Sequence, residues 1–145
     1  MMKYIQVLAF LVFMHAQLAA EQVHPSREDY VAFLPVWHAA YNDPNPEVVG
    51  RLFGPSSHIG VFDEMSDEEK GKFREGFTGL KQHFGDITAM ELGVFIERKS
   101  RYVFKATYSN AGFVPGTITL EQIGDGTWKV ANFNIDGQGE PELNQ

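Results

Sequence analysis

The chain has 145 residues, with 12 Lys and Arg against 19 Asp and Glu, no cysteine, and a formal net charge of −7. The acidic balance argues against nucleic acid and anionic membrane surfaces as partners, since both reward clustered cations. The missing thiols exclude disulfides, thiolate metal sites and a lipid anchor on cysteine, so a single domain held together by its apolar core is the expectation.

Residues 1–20, MMKYIQVLAFLVFMHAQLAA, carry one charge at Lys3, then an apolar run from Tyr4 to Met14, then small residues. That is the layout of a secretory signal peptide, and the apolar run is too short to span a bilayer. Cleavage near Ala19 or Ala20 removes only one charged residue, Lys3, and leaves a mature chain of net charge −8. The expected location is secreted or periplasmic, with no membrane contact beyond the signal peptide.

Ser26, followed by Arg27, Glu28 and Asp29, has the pattern of a helix start with a capping box. Tyr30, Phe33, Leu34, Trp37 and Tyr41 then recur at the spacing of one buried helical stripe. Pro35 removes an amide donor within that stripe and predicts a kink. Asn45-Pro46-Glu47 opens a second helix, expected to run two turns and close at Gly54-Pro55.

Ser66 and Glu69 form a second capping box, and Phe73, Phe77, Leu80 and Phe84 make the stripe of a third helix that Gly85 ends. Gly71, Gly76 and Gly79 each weaken this helix by roughly 1 kcal/mol relative to alanine. Close packing against another element would explain them.

From Asp86 the period changes to alternation. Met90, Leu92, Val94 and Ile96 share one face of a strand, and Tyr102, Phe104, Ala106 and Tyr108 share a face of the next. Turns at Lys99-Ser100, Asn110-Ala111-Gly112 and Gly124-Asp125-Gly126 divide the second half into a four-stranded antiparallel meander. Pro115 marks an edge position or a bulge in the third strand. In the last strand Trp128 and Val130 are out of phase with Phe133 and Ile135, and a bulge near Ala131 would bring all four to one side.

Helices followed by a meander give an α+β domain, with N-terminal helices packed on a curved four-stranded antiparallel sheet. Helix, short helix, helix and a curved meander ending in TWKVANFNID resemble the NTF2-like superfamily of α+β cones, in particular its small exported members. The resemblance covers residues 26–136, and residues 137–145 read as a loose tail. It implies a cone with a mouth, and in those members that are enzymes a carboxylate or His-Asp pair inside it. The superfamily spans isomerases, cyclases, dehydratases, ligand carriers and interaction domains, so the resemblance speaks to fold more than activity.

The strand carboxylates Glu91, Glu97 and Glu121 fall in phase opposite the apolar stripes and are expected to face water. His38 sits on the first helix beside Trp37 and Tyr41, near where such a cone opens, and is the titratable residue best suited to act near neutral pH. Trp37, His38, Tyr41, Tyr102 and Asn134 are the candidate ligand-binding residues, with His38, Tyr41 and Tyr102 the weaker catalytic candidates. Asn132, Asn134 and Asp136 alternate with Phe133 and Ile135, which reads as the solvated side of the final strand. No His spacing places two ligands on one face, and the acidic run at residues 63–69 lacks the pattern of a calcium loop, so neither a metal nor a cofactor is expected.

The leading expectation is an exported, non-catalytic domain that binds a small apolar ligand or a protein partner. One alternative is a small enzyme of isomerase or cyclase type with His38 as general base and Tyr41 or Tyr102 as oxyanion donor. The other is a self-associating module, a homodimer through the sheet.

Overall fold

The computed structural model describes residues 24–135. Residues 1–20, for which a signal peptide is expected, Asp136 and residues 137–145, expected to form a loose tail, lie outside the described residues. Within them, three helices precede a four-stranded antiparallel sheet of order β1-β2-β3-β4, which is not closed.

Helix α1 (Arg27–Asn42) starts at Ser26, whose side chain accepts from the Asp29 amide while Asp29 reaches back to the Ser26 amide. It runs through Pro35 without a break. Pro35 and Val31, whose carbonyl loses its helical donor, both lie on the exposed side, where water can replace the missing bond. The opposite side buries Tyr30, Phe33, Leu34, Trp37, Ala40 and Tyr41.

Helix α2 (Pro46–Gly50) is capped by Asn45, with proline in its first turn, but ends after five residues rather than two full turns. The chain beyond it is drawn into the sheet instead: Val130 N–H donates to Leu52 O at 2.7 Å, and Gly54 N–H donates to Val130 O at 2.9 Å. Phe53 thereby forms a parallel bridge to Val130 and covers part of the outer edge of the sheet.

Helix α3 (Asp67–Phe84) has the expected Ser66–Glu69 capping box and stops at Gly85, whose φ of 81° favours glycine. None of its residues is fully buried; Phe73, Phe77, Leu80 and Phe84 are half-buried against the core. Close packing does not account for its glycines, because a Cβ at Gly71, Gly76 or Gly79 would meet nothing within 4 Å. Gly71→Ala and Gly79→Ala should each therefore raise unfolding stability by about 0.5–1 kcal/mol in urea titrations. A loss of stability would reveal a contact that the open space rules out.

Strands β1 (Ile87–Ile96), β2 (Arg101–Tyr108), β3 (Gly112–Gln122) and β4 (Trp128–Asn134) follow. The bulge expected near Ala131 is present: Thr119 pairs with Asn132 and Leu120 with Val130, leaving Ala131 as the extra residue. Beside it, the Leu120 amide donates to the buried Tyr30 hydroxyl at 3.1 Å. Pro115 lies opposite Lys105, beyond the last β3–β4 pair at Thr117 and Asn134, so its missing donor falls on a locally open edge.

The single stripe expected along β1 is interrupted. Leu92 pairs with Phe104 and Phe95 with Tyr102, so two residues, Gly93 and Val94, oppose Val103 alone. This shift leaves Val94 37 % exposed and turns Ile96 into a separate small cluster with Val103. Gly93 permits the close approach, since a Cβ there would sit 3.0 Å from Val103.

The main core forms where α1 crosses the sheet, with Phe104, Ala106, Tyr108, Ile118, Leu120 and Val130 buried beneath Tyr30, Phe33, Leu34, Trp37 and Tyr41. Polar clamps hold α1 against β1: Arg27 Nη1 donates to Gly93 O at 2.9 Å, and Asn42 exchanges two hydrogen bonds with the Ile87 peptide.

Candidate functional site

A half-open apolar cavity lies between α3 and the end of β4. Phe73, Phe77, Leu80 and Phe84 come from α3, Trp37 and Tyr41 from α1, Phe53 from the bridge segment and Phe133 from β4. Together with Ile59 and Ile135 they bound a cavity of about 450 Å³. Its aromatic rings form a chain of contacts: Trp37 meets Phe53 edge-on at 5.8 Å, Phe53 meets Phe73 at 6.5 Å, Phe73 stacks on Phe77 at 6.0 Å, and Phe77 meets Tyr41 at 5.4 Å. Phe133 lies 4.5 Å from Trp37.

Polar side chains reach this cavity at His58, Lys72 and Asn134, and among the described residues no carboxylate lines it. The Tyr41 hydroxyl donates to Gly85 O at 3.0 Å. Burial, helped by the charge of Asp86, pushes the Tyr41 phenol well above its ordinary pKa, so it stays neutral through the physiological range. Tyr108, packed against both Tyr41 and Phe84, is likewise held neutral, chiefly by burial. The Tyr108 hydroxyl and the Trp37 indole nitrogen are both buried without a hydrogen-bond partner among the described residues.

Helix α3 is the wall of this cavity least secured by burial. Ion pairs supplement its half-buried rings: Arg74 pairs with Glu47 of α2, and Lys81 with Asp86 at 2.8 Å. The hydrogen bond from Arg74, together with its charge and that of Arg51, holds the Glu47 carboxyl below the usual carboxylate range. A lowered folded pKa means that this stabilisation is complete above the ordinary carboxylate range and is lost as pH falls through the lowered value. Glu47 is solvent-screened, so salt weakens the contribution as well.

Of the five ligand-binding candidates, the structure brings Trp37, Tyr41 and Asn134 together at this cavity. His38 does not share it. Its Nε2–H donates to Ile87 O at 2.9 Å, on the same peptide that Asn42 holds, and its ring lies in a separate groove with Leu34, Pro35 and Met90. Neither Tyr102, Tyr108 nor Asn134 lines that groove, so His38 works as a clamp between α1 and β1.

Tyr102 lies in a third concavity, a groove of about 1100 Å³ beside Tyr30, Phe95 and Arg27. Its ring is 4.5 Å from Tyr30 and 5.0 Å from Phe95, with the Arg27 guanidinium 5.6 Å above it. This groove is larger, but it runs along hairpin residues such as Ser100, Gly124 and Gly126 and is a more polar surface feature. Size alone does not make it the better binding site.

Glu91 and Glu97 are exposed, as expected. Glu121 is only half-buried: its Oε1 accepts from Ser56 N–H at 3.2 Å, while Oε2 is enclosed without a partner among the described residues. It does not line the aromatic cavity. Among the described residues no group of three or more His, Asp or Glu is placed to hold a metal ion, and no helix is long and apolar enough to cross a membrane.

Phe53, His58, Ile59 and Lys72 contribute to the cavity without having been singled out by the sequence. Phe53 falls within the stretch expected to be the second helix, which ends at Gly50 instead, His58 and Ile59 belong to an irregular segment with no period to follow, and Lys72 reads as an ordinary charged helix residue. No family model matches the chain, and no significant match to it is found among curated proteins or solved structures.

Proposed function

We propose that the chain is an exported, non-catalytic NTF2-like domain that binds one small apolar molecule in the aromatic cavity. The observation that carries this reading is the cavity itself: about 450 Å³, within the range of small-molecule sites, its walls formed, among the described residues, by seven aromatic side chains and no carboxylate. Bulges in β1 and β4 support the cone reading, because each bends its strand. The weakly secured α3 supports a route of entry, since a wall with no fully buried residue opens at low free-energy cost. The isomerase or cyclase alternative draws no support from this geometry, since His38 is occupied by Ile87 O in another groove.

Native mass spectrometry tests the proposal on mature protein purified, without refolding, from the compartment that receives it. The expected spectrum shows the chain carrying a small-molecule adduct that organic solvent releases. A clean dimer without adduct would favour self-association instead.

A further inference from the structure

The aromatic cavity is apolar within and basic where it meets water. Apart from the Tyr41 phenol, which burial holds neutral, its ionisable lining residues among those described are Lys72 and His58. Both are bases, in a chain where 19 Asp and Glu outnumber 12 Lys and Arg. Both are exposed, whereas Trp37, Tyr41 and Phe53 on the same lining are buried. The fold makes little use of either base. His58 has no hydrogen bond or ion pair among the described residues. Lys72 Nζ lies 3.4 Å from Glu68 one helical turn away, with side chains 76 % and 80 % exposed. A solvated pair of that kind contributes little, and its ammonium can turn toward a second anion. Arg74 and Lys81 of the same helix are instead tied to Glu47 and Asp86 on other elements.

We infer that the occupant is an amphiphilic carboxylate, with its apolar body among the rings and its carboxylate at the mouth, facing Lys72 and His58. This rests on the cavity-binding reading and adds the chemical class of the ligand. A carboxylate held at the mouth stays hydrated and avoids the cost of burying a charge. Its attraction to the two bases acts beside low-dielectric aromatic walls, which screen it less than open water does. A cationic head group would meet like charge at the same place. The mouth thus selects by sign of charge where the aromatic walls select by shape.

The test compares 2-naphthoate with 2-naphthamide, which match in size and shape and differ in charge. Each is titrated by its fluorescence into the mature protein and into the double variant Lys72→Gln, His58→Gln. The native chain should bind naphthoate about fivefold tighter than naphthamide at low salt. Added sodium chloride should shrink that preference, a readout that needs no variant. The double variant should lose the preference while binding naphthamide as the native chain does, since both residues are exposed and neither supports the core. Equal binding of the two compounds by the native chain, or a preference that survives in the double variant, would overturn the carboxylate inference and leave the cavity reading standing. Binding of neither compound would overturn both.

Discussion

Gly116→Ala is expected to destabilise the fold by about 3 kcal/mol, at the upper end of the usual penalty for overpacking. A Cβ at this position would fall 2.2 Å from Asn134 O and 3.0 Å from the Ile135 Cα. Both are backbone atoms, so no side chain can swing aside to make room. The end of β4 and the residue after it would have to lift off β3, and Phe133, Asn134 and Ile135 form one wall of the cavity. Stability and ligand binding should therefore fall together, as measured by urea unfolding and by titration with naphthalene. A variant of unchanged stability would mean that the end of β4 is not packed across Gly116.

The same region shows what the sequence makes legible. Val130 and Phe133 both demand the core side of β4, yet they are three residues apart and in opposite phase. Only an extra residue reconciles them, so the bulge at Ala131 can be read in advance. Helix starts are legible for a similar reason, because Ser26 with Asp29 and Ser66 with Glu69 satisfy one another's backbone groups within four residues. In β1 the apolar alternation Met90, Leu92, Val94, Ile96 conceals the shift at Gly93, whose cause is the distant side chain of Val103. The early end of α2 is hidden too, since it answers to hydrogen bonds with Val130, about eighty residues further along the chain.

The candidate site divides along the same line. Trp37 and Tyr41 follow from the buried stripe of α1, and they do line the cavity. His38 is adjacent to Trp37 in sequence, but neighbouring helical residues do not face the same way, so it enters a different groove. Tyr102 and Tyr108 share a face of β2, but they lie six residue steps apart along the strand, roughly 20 Å. Tyr108 accordingly packs near the cavity wall, whereas Tyr102 lies in the groove at the other end. Shared phase identifies a face of the sheet and says little about position along it.

Gly76→Phe is the second change of large expected effect. Gly76 lines the cavity, its Cβ direction is open, and it lies inside α3, where phenylalanine is a better helix former than glycine. The variant should fold at least as stably as the native chain while its new ring takes up the space an apolar ligand needs, weakening binding by about tenfold or more. That combination separates loss of the site from loss of the fold.

Naphthalene titrated into the native chain and into Gly76→Phe, with the Trp37 indole N–H followed by NMR, tests the cavity-binding account most directly. The account predicts a saturable change in the native chain and a much weakened one in the variant, with both proteins folded. No change in the native chain, or equal changes in both, would contradict it.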